Sequence, residues 1–144
     1  IWDRDDIEKI MDLGADAVQL GTRFIGTHEC DASPVLKQVL LDSKEEDIVI
    51  VSSPVGYPGR AVKTNLIKTL EPDTKKIKCI SNCIFPCNRG EGARRVGYCI
   101  ADSLGDAYLG RLQSGLFFSG ANGYKLKEIV HVKDLIDELM TDVK

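Results

Sequence analysis

The sequence predicts an α/β fold, in which amphipathic helices alternate with short apolar strands. The first 22 residues read as a helix, a glycine turn, a short apolar run and a Gly-Thr turn, which is the order of a repeating βα chain. Later helical patterns are likewise separated by short β-branched or aromatic runs. The 144 residues suffice for one compact domain but are few for a complete (β/α)8 barrel, which takes about 250 residues.

Composition excludes several classes of protein. The formal net charge of -3 is too mild for a nucleic-acid-binding stripe. No apolar run approaches the roughly 20 residues that span a bilayer, and no secretory leader opens the chain. Five cysteines, an odd number crowded into one region, argue against a secreted disulfide scaffold. We therefore expect a cytoplasmic protein without nucleic-acid or membrane partners. Because Ile1 is not a Met and a helix follows at once, we expect a fragment of a larger protein, with a trimmed tag as the alternative.

The first helix is predicted over residues 3–13. Asp3 is suited to cap it, Asp5 and Asp6 favour its first turn, and Gly14 suits a left-handed residue at its end. The apolar side chains expected on one face are Ile7, Ile10 and Met11, with Leu13 beside them.

Residues 17–20 are short and apolar enough for a buried strand that ends at Gly21 and Thr22. A glycine lets an anion approach the backbone, and the N–H groups of Gly21, Thr22 and Arg23 can point at one phosphate. The Thr22 hydroxyl adds a donor, and Arg23 adds positive charge. In (β/α)8 barrels a phosphate commonly lies at the loops after strands 7 and 8, and this strand suits the eighth position. The alternative is a plain strand-to-loop turn.

The remaining elements follow from spacing and from proline and glycine. Helices are predicted over 34–41, 62–70, 98–111 and 132–140, and strands or buried segments over 47–51 and 116–118. Residues 53–59 and 120–123 read as loop and turn, 71–78 as exposed, and 79–97 as loop-rich. The apolar faces expected for the last three helices are Val62, Leu66, Ile67 and Leu70; Ile100, Leu104, Ala107, Tyr108 and Leu112; and Val132, Leu135, Ile136 and Leu139.

The segment GADAVQLGTRF, residues 14–24, closely resembles the one that closes the barrel in the nitronate monooxygenase family. This family, formerly called 2-nitropropane dioxygenases, also includes FMN-dependent enoyl-ACP reductases. Four later segments resemble it in the same order: SPVGYPGRA, YCIADSL, FFSGANGY and IVHVKDLIDEL. The short strand also resembles inosine-monophosphate-dehydrogenase-type barrels, but the later segments do not.

The resemblance implies the C-terminal part of a (β/α)8 TIM barrel. Residues 1–32 would form its last helix–strand unit, 33–115 an inserted, mostly α-helical domain, and 116–144 the return segment and final barrel helix. By position, the residues that match the stretch holding FMN, mostly its phosphate end, are Gln19, Leu20, Gly21 and Thr22.

The implied chemistry is oxidation of a small molecule, an alkyl nitronate, by O2 through a reduced flavin. The alternatives are NADH- or NADPH-driven reduction of an enoyl thioester and a non-catalytic helical fragment. The family's catalytic histidine and the Gly-Gly turn after strand 7 would lie upstream of Ile1, so no catalytic residue is expected in this chain. We expect the isolated chain to be inactive and to bind FMN weakly or not at all. Because a single barrel strand lacks ladder neighbours, its first ~25 residues need cover from a homodimer or from different packing.

Two further residues are candidates for the substrate cleft. Arg60 suits a substrate carboxylate or a pyridine-nucleotide phosphate; the alternative is a surface arginine at the entry of a helix. Asn122 suits the wall of the flavin pocket in the resembling family. The alternative for Asn122 is a turn residue that tolerates positive φ.

The cysteines and histidines are weaker candidates. The spacing of Cys79, Cys83, Cys87 and Cys99 matches neither structural zinc knuckles nor common ferredoxin runs, so no metal site is predicted. Buried free thiols are the simpler interpretation, although the intervening loop leaves a four-ligand site open. His28 either approaches the flavin site or lies on the surface, and His131 reads as a residue of a helix cap. Neither is positioned as a general base.

Overall fold

The computed structural model describes residues 1–70, 80, 83–84, 87 and 96–141. Their α helices are α1 (Arg4–Asp12), α2 (Thr22–Ile25), α3 (Pro34–Leu41), α4 (Asn65–Lys68), α5 (Ile100–Tyr108) and α6 (Val132–Met140), and their strands are β1 (Ile48–Val51) and β2 (Gly59–Val62). Single 3-10 turns lie at Glu45–Asp47 and Gly123–Lys125. Among the described helices, none has the length and apolar character needed to cross a bilayer. The predicted exposed segment 71–78 and most of the loop 79–97 lie outside the described residues.

Helix α1 has the predicted ends but a narrower buried face than predicted. The Asp3 carboxylate accepts a hydrogen bond from the Asp6 amide at 3.0 Å, and Gly14 has a φ of +94°. Ile7 is buried against α6, in a cluster that includes Leu135 and Leu139. Ile10 and Met11, expected on the same face, and Leu13, expected beside it, are exposed. Sharing an apolar face with Ile7 therefore does not make these side chains part of the cluster with α6.

The strand predicted at residues 17–20 is absent, which corrects the sequence interpretation. A strand requires ladder hydrogen bonds to a neighbour, and no described residue supplies them to this segment. The segment is anchored by side chains instead: Val18 and Leu20 pack with Phe24 against the cluster of α1 and α6. The segment is therefore neither a strand nor fully buried: Ala17 and Gln19 are exposed, and Val18 and Leu20 are half-buried.

The small antiparallel sheet places β2 between two partners. Strand β1 pairs with β2 in a register that runs from Ile48–Val62 to Val51–Gly59. On the other edge, the amide of Val62 donates to the Phe117 carbonyl at 2.9 Å, and the amide of Ser119 donates to the Arg60 carbonyl at 3.0 Å.

This pairing corrects the helix predicted over 62–70. Val62 ends a strand, and only Asn65–Lys68 is helical. Pairing on both edges of β2 satisfies backbone groups that a helix starting at Val62 would leave without a partner. The Pro/Gly-rich loop that precedes β2 is irregular, as predicted.

Helix α5 is rotated relative to the predicted face. Its buried residues are Ile100, Ser103, Asp106 and Ala107, whereas Leu104, Tyr108 and Leu112 are exposed. Polar contacts to the following loop explain the rotation. The Ser103 carbonyl accepts a bond from the Leu116 amide at 2.8 Å, and the Asp106 carboxylate binds the Arg111 guanidinium at 2.6 Å. The buried face of α5 therefore includes the polar residues Ser103 and Asp106.

Helices α3 and α6 begin and end at the predicted residues. The Ser33 hydroxyl caps α3 by accepting from the Val35 amide at 3.1 Å. Leu135 and Leu139 of α6 are buried as expected, but Ile136 is exposed. Another core cluster packs α3, β2 and α5 around Phe117, which is fully buried.

Candidate functional site

The loop before α2 presents backbone donors that have no acceptor among the described residues. The Gly21 carbonyl accepts bonds from the amides of Phe24 and Ile25 at 3.0 and 3.2 Å, which starts the helix at Thr22. No described residue accepts a hydrogen bond from the N–H groups of Gly21, Thr22 and Arg23. A Cβ placed on Gly21 would meet no atom within 4 Å, so the backbone is open to a ligand there. The arrangement suits an anion such as a phosphate.

The phosphate-suited loop faces a cavity of about 180 Å3. Its walls come from the first two residues, the loop 19–22 with Arg23, and the turn 120–123. The cavity thus brings together Gln19, Leu20, Gly21 and Thr22 with Asn122, which the sequence separates by a hundred residues. Asn122 has a φ of -95°, so it does not use the positive φ that the turn alternative invoked.

The Thr22 hydroxyl connects the two walls of this cavity. Its oxygen accepts a hydrogen bond from the Gly120 amide at 2.8 Å, which leaves the hydroxyl hydrogen able to donate to a ligand. Gly123 lies so close to Ser119 that a Cβ there would collide with the Ser119 hydroxyl. The turn therefore depends on Thr22 and on a residue without a side chain at position 123.

Arg23 has a different role from the one predicted. Its guanidinium forms two bonds to the Glu138 carboxylate, at 3.0 and 2.7 Å, and a third to the Trp2 carbonyl at 2.9 Å. It also lies 5.0 Å from the centre of the Trp2 ring. Glu138 compensates its charge, so the expectation that Arg23 supplies positive charge to an anion is corrected. Arg23 instead fixes the loop between α6 and the start of the chain.

Arg60 lines a second concavity, of about 360 Å3, which shares Gly21 and Thr22 with the first. We call it the Arg60 cleft. Its remaining lining residues are Ile25, Gly59, Phe118 and Ser119. The structure therefore places both weaker sequence candidates, Arg60 and Asn122, in concavities that Gly21 and Thr22 also line.

The two histidines are far apart in sequence, but their rings contact each other at a tilt of 37°. The ring centres of His28 and His131 are 4.6 Å apart, and the Nδ1 atom of His131 lies 3.1 Å from a Glu29 oxygen. The other Glu29 oxygen accepts a hydrogen bond from the Val132 amide at 3.0 Å. This backbone bond, with His131 adding to it, lowers the pKa of Glu29. Neither histidine lines either concavity.

Glu29 is the capping residue that sequence reasoning missed. His131 is the N-cap residue of α6 by position, as predicted, but its side chain does not cap the helix. Glu29 reaches the helix because residues 26–28 run beside residue 130: Thr27 and Val130 form a parallel bridge. A capping residue a hundred positions away leaves no local signal in the sequence.

The predicted cysteine group is only partly described. Cys83 and Cys87 are half-buried and Cys99 is buried, whereas Cys79 lies outside the described residues. In the part of the chain that the structure describes, no three His, Cys, Asp or Glu side chains are grouped in a way that suits a metal ion.

A family model described as nitronate monooxygenase matches residues 1–142. A probable nitronate monooxygenase of Staphylococcus haemolyticus is 36% identical over 59 residues, which cover 41% of this chain and 16% of that protein. A second, from Staphylococcus saprophyticus, is 36% identical over 67 residues, or 46% of this chain and 19% of that protein.

Two solved structures of FabK from Thermotoga maritima are similar over nearly the whole chain. One, of a point mutant, has a TM-score of 0.70 and 25% identity, and the match covers 99% of this chain and 38% of that one. The other has a TM-score of 0.70 and 24% identity, and the match covers 98% and 41%. The chain thus spans less than half the length of the structures it matches.

Proposed function

This chain belongs to the nitronate monooxygenase family, and on that premise we propose that it is the C-terminal part of an FMN-dependent oxidoreductase. Residues 1–32 would be the last helix–strand unit of a (β/α)8 barrel, 33–115 an inserted helical domain, and 116–144 the return segment and final helix. The cluster that joins Ile7 of α1 to Leu135 and Leu139 of α6 supports grouping the first and last of these segments.

In this proposal, residues 19–22 hold the phosphate end of FMN. The observation that carries it is that one cavity is lined by Gly21, Thr22 and Arg23, whose backbone N–H groups have no acceptor among the described residues. The open face of Gly21 and the Thr22 hydroxyl lie at the same cavity. Backbone donors at the start of a helix suit a phosphate without a neighbouring cation. Asn122 adds an amide from the opposite wall. FMN, when bound, would supply the electron-transfer chemistry, while these residues bind and orient it.

The site is tested by titrating the 15N-labelled chain with FMN and, separately, with riboflavin, which lacks the phosphate. We expect FMN to shift the amide signals of Gly21, Thr22 and Arg23, and riboflavin to leave them in place. We expect weak binding, because the chain forms a limited part of a flavin site. Equal shifts with both flavins, or FMN shifts that spare these amides, would show that the phosphate assignment is wrong. Saturation at low-micromolar FMN would contradict the expected weak affinity.

The reaction proposed first is oxidation of an alkyl nitronate by O2, in keeping with the family. The second candidate is NAD(P)H-driven reduction of an enoyl thioester, which the family also includes, and the likeness to FabK over 98–99% of the chain favours it. Adding NADH anaerobically to the flavin-loaded protein that carries this segment distinguishes the two. Rapid bleaching of the flavin favours the reductase, and oxygen uptake with an alkyl nitronate favours the monooxygenase. A 144-residue chain that gives neither result and binds no flavin would be a non-catalytic fragment.

A further inference from the structure

Arg60 differs from the other arginines that the structure describes. Arg4 pairs with Glu8, Arg23 with Glu138 and Arg111 with Asp106, at 2.6 to 2.7 Å. Among the described residues, no carboxylate or carbonyl accepts a hydrogen bond from the Arg60 side chain, which is exposed. Its charge is thus available to a ligand.

The backbone of Arg60 is nevertheless held firmly. Arg60 lies opposite Ile50 in the sheet, and its carbonyl accepts the 3.0 Å bond from Ser119. The preceding residue, Gly59, approaches the Phe118 ring so closely that a Cβ there would lie 2.7 Å from it. The Arg60 side chain therefore extends from a fixed backbone position at the edge of the Arg60 cleft.

The rest of the Arg60 cleft is mainly apolar. Ile25 and Phe118 contribute aliphatic and aromatic surface, and Gly21 and Thr22 form the boundary with the phosphate-suited loop. Apolar walls favour a hydrocarbon group by removing it from water. A guanidinium favours a carboxylate or phosphate, which it can bind through two parallel hydrogen bonds.

We propose that the Arg60 cleft binds an amphipathic anion, with its hydrocarbon part on Ile25 and Phe118 and its carboxylate or phosphate on Arg60. Arg60 is then a specificity-determining residue for the substrate. This inference rests on the proposed function, since the cleft would be the substrate side of the same flavin site. The anionic group is either the carboxylate of a free acid or the phosphate of a carrier. Both groups can accept two parallel hydrogen bonds from a guanidinium.

The test uses the 144-residue chain with three probes below their micelle concentrations: decyl phosphate, decanoate and decanol. Binding is followed by the amide signal of Gly59 and the methyl signals of Ile25. We expect at least one of the two anions to bind about tenfold more tightly than decanol, in line with a charged hydrogen bond. This advantage should shrink as NaCl is added. The anion that binds more tightly shows whether the cleft favours a phosphate or a carboxylate.

Arg60→Met should remove both the tenfold advantage and its salt dependence, while decanol binding stays the same. Arg60→Lys should keep part of the advantage, because an ammonium retains the charge without the planar fork. Lys63→Met is the matched control: it removes an exposed cation just beyond β2 and should leave the preference intact. Equal binding of anions and decanol to the wild-type chain, or a preference that survives in Arg60→Met, would overturn the inference.

The FMN titration in the same samples separates the two proposals. If FMN shifts the Gly21–Arg23 amides but no anion is preferred over decanol, the flavin site stands and the role of Arg60 is wrong. If FMN shifts other signals of the chain but spares those amides, the phosphate assignment of the proposed function fails, whatever the anions do.

Discussion

Thr22 illustrates how one side chain can serve both structure and binding. Its oxygen accepts the bond from Gly120, which holds the turn 120–123 against the loop, and its proton remains available to the cavity. Gly21, directly before it, contributes open backbone rather than conformational freedom: its φ of -126° is accessible to any residue. What Gly21 provides is space, so adding a side chain there should affect a ligand more than the fold.

Gly21→Val should therefore weaken FMN binding at least about tenfold while leaving the thermal midpoint nearly unchanged. The valine would occupy the space that the phosphate needs, whereas a Cβ at this position meets no protein atom within 4 Å. Amide shifts on FMN titration, together with a thermal melt, measure the two effects. Gly105→Val is the control, since Gly105 has equally open space but lies on α5, away from the cavity. A clearly lower thermal midpoint for Gly21→Val, or an unchanged affinity of that variant for FMN, would contradict this assignment.

Glu29 gives a prediction that depends on pH. Its pKa is lowered in the folded chain, chiefly by the hydrogen bond from the Val132 amide, so ionised Glu29 stabilises the fold. That contribution is complete above the ordinary carboxyl pKa, about 4.3, and is lost as the pH falls through the lower native value. Glu29→Gln should thus lower the urea midpoint at pH 7, and the difference should disappear under acidic conditions. Glu128→Gln should change little at either pH, and a difference for Glu29→Gln that persists in acid would argue against the capping role.

The helices show how far amphipathic spacing specifies packing. Spacing predicted that α5 and α6 exist, and α6 to the residue, yet it misjudged which apolar side chains face inward. On α5, Ser103 and Asp106 are buried, whereas Leu104 and Tyr108 are exposed. On α6, Leu135 and Leu139 are buried in the cluster with α1, whereas Ile136 is exposed. The spacing therefore shows which helix positions are apolar, but the neighbouring elements determine which of those side chains are buried.

Two adjacent residues of α6 make this testable. Leu135 is fully buried, while Ile136 is 44% exposed. Leu135→Ala should cost about 2 to 5 kcal/mol of unfolding free energy, because it leaves a cavity between α1 and α6. Ile136→Ala should cost about 1 kcal/mol or less. Urea denaturation of both variants measures the difference, and equal losses would mean that a further surface covers Ile136.

For the molecule as a whole, the packing joins distant parts of the sequence. The cluster of α1 and α6 unites its two ends, and the Arg23–Glu138 pair crosses the same junction. Trp2 and Arg23 of this junction line the cavity, which shares Gly21 and Thr22 with the Arg60 cleft, so the candidate site depends on this packing. Stability at the ends and ligand binding at the loop should therefore be coupled.

Ile7→Ala tests this coupling. It should destabilise the chain by about 2 to 5 kcal/mol, and hydrogen exchange should become faster in α6 and at residues 22–25 as well as in α1. Ile10→Ala, at an exposed position of the same helix, is the control and should leave those rates nearly unchanged. Faster exchange confined to α1 would show that the two ends are not coupled.

From the amino-acid order one could already read the ends of α1, α3 and α6, the strand β1 and the glycine turn at Gly14. These features rest on local causes: caps, proline and glycine conformation, β-branching and short-range periodicity. The family resemblance rests on the same ordered segments.

Other features emerged only when distant residues met in space. Whether residues 17–20 become a strand, and whether residues 59–62 do, depends on a neighbour for the backbone ladder; Gly59–Val62 has two and residues 17–20 have none among the described residues. The pairing of Arg23 with Glu138, the capping of α6 by Glu29 and the placing of Asn122 and Arg60 beside one loop are likewise contacts between remote positions. Hydrogen bonds and burial are properties of pairs, and a linear pattern specifies such pairs only when they are close along the chain.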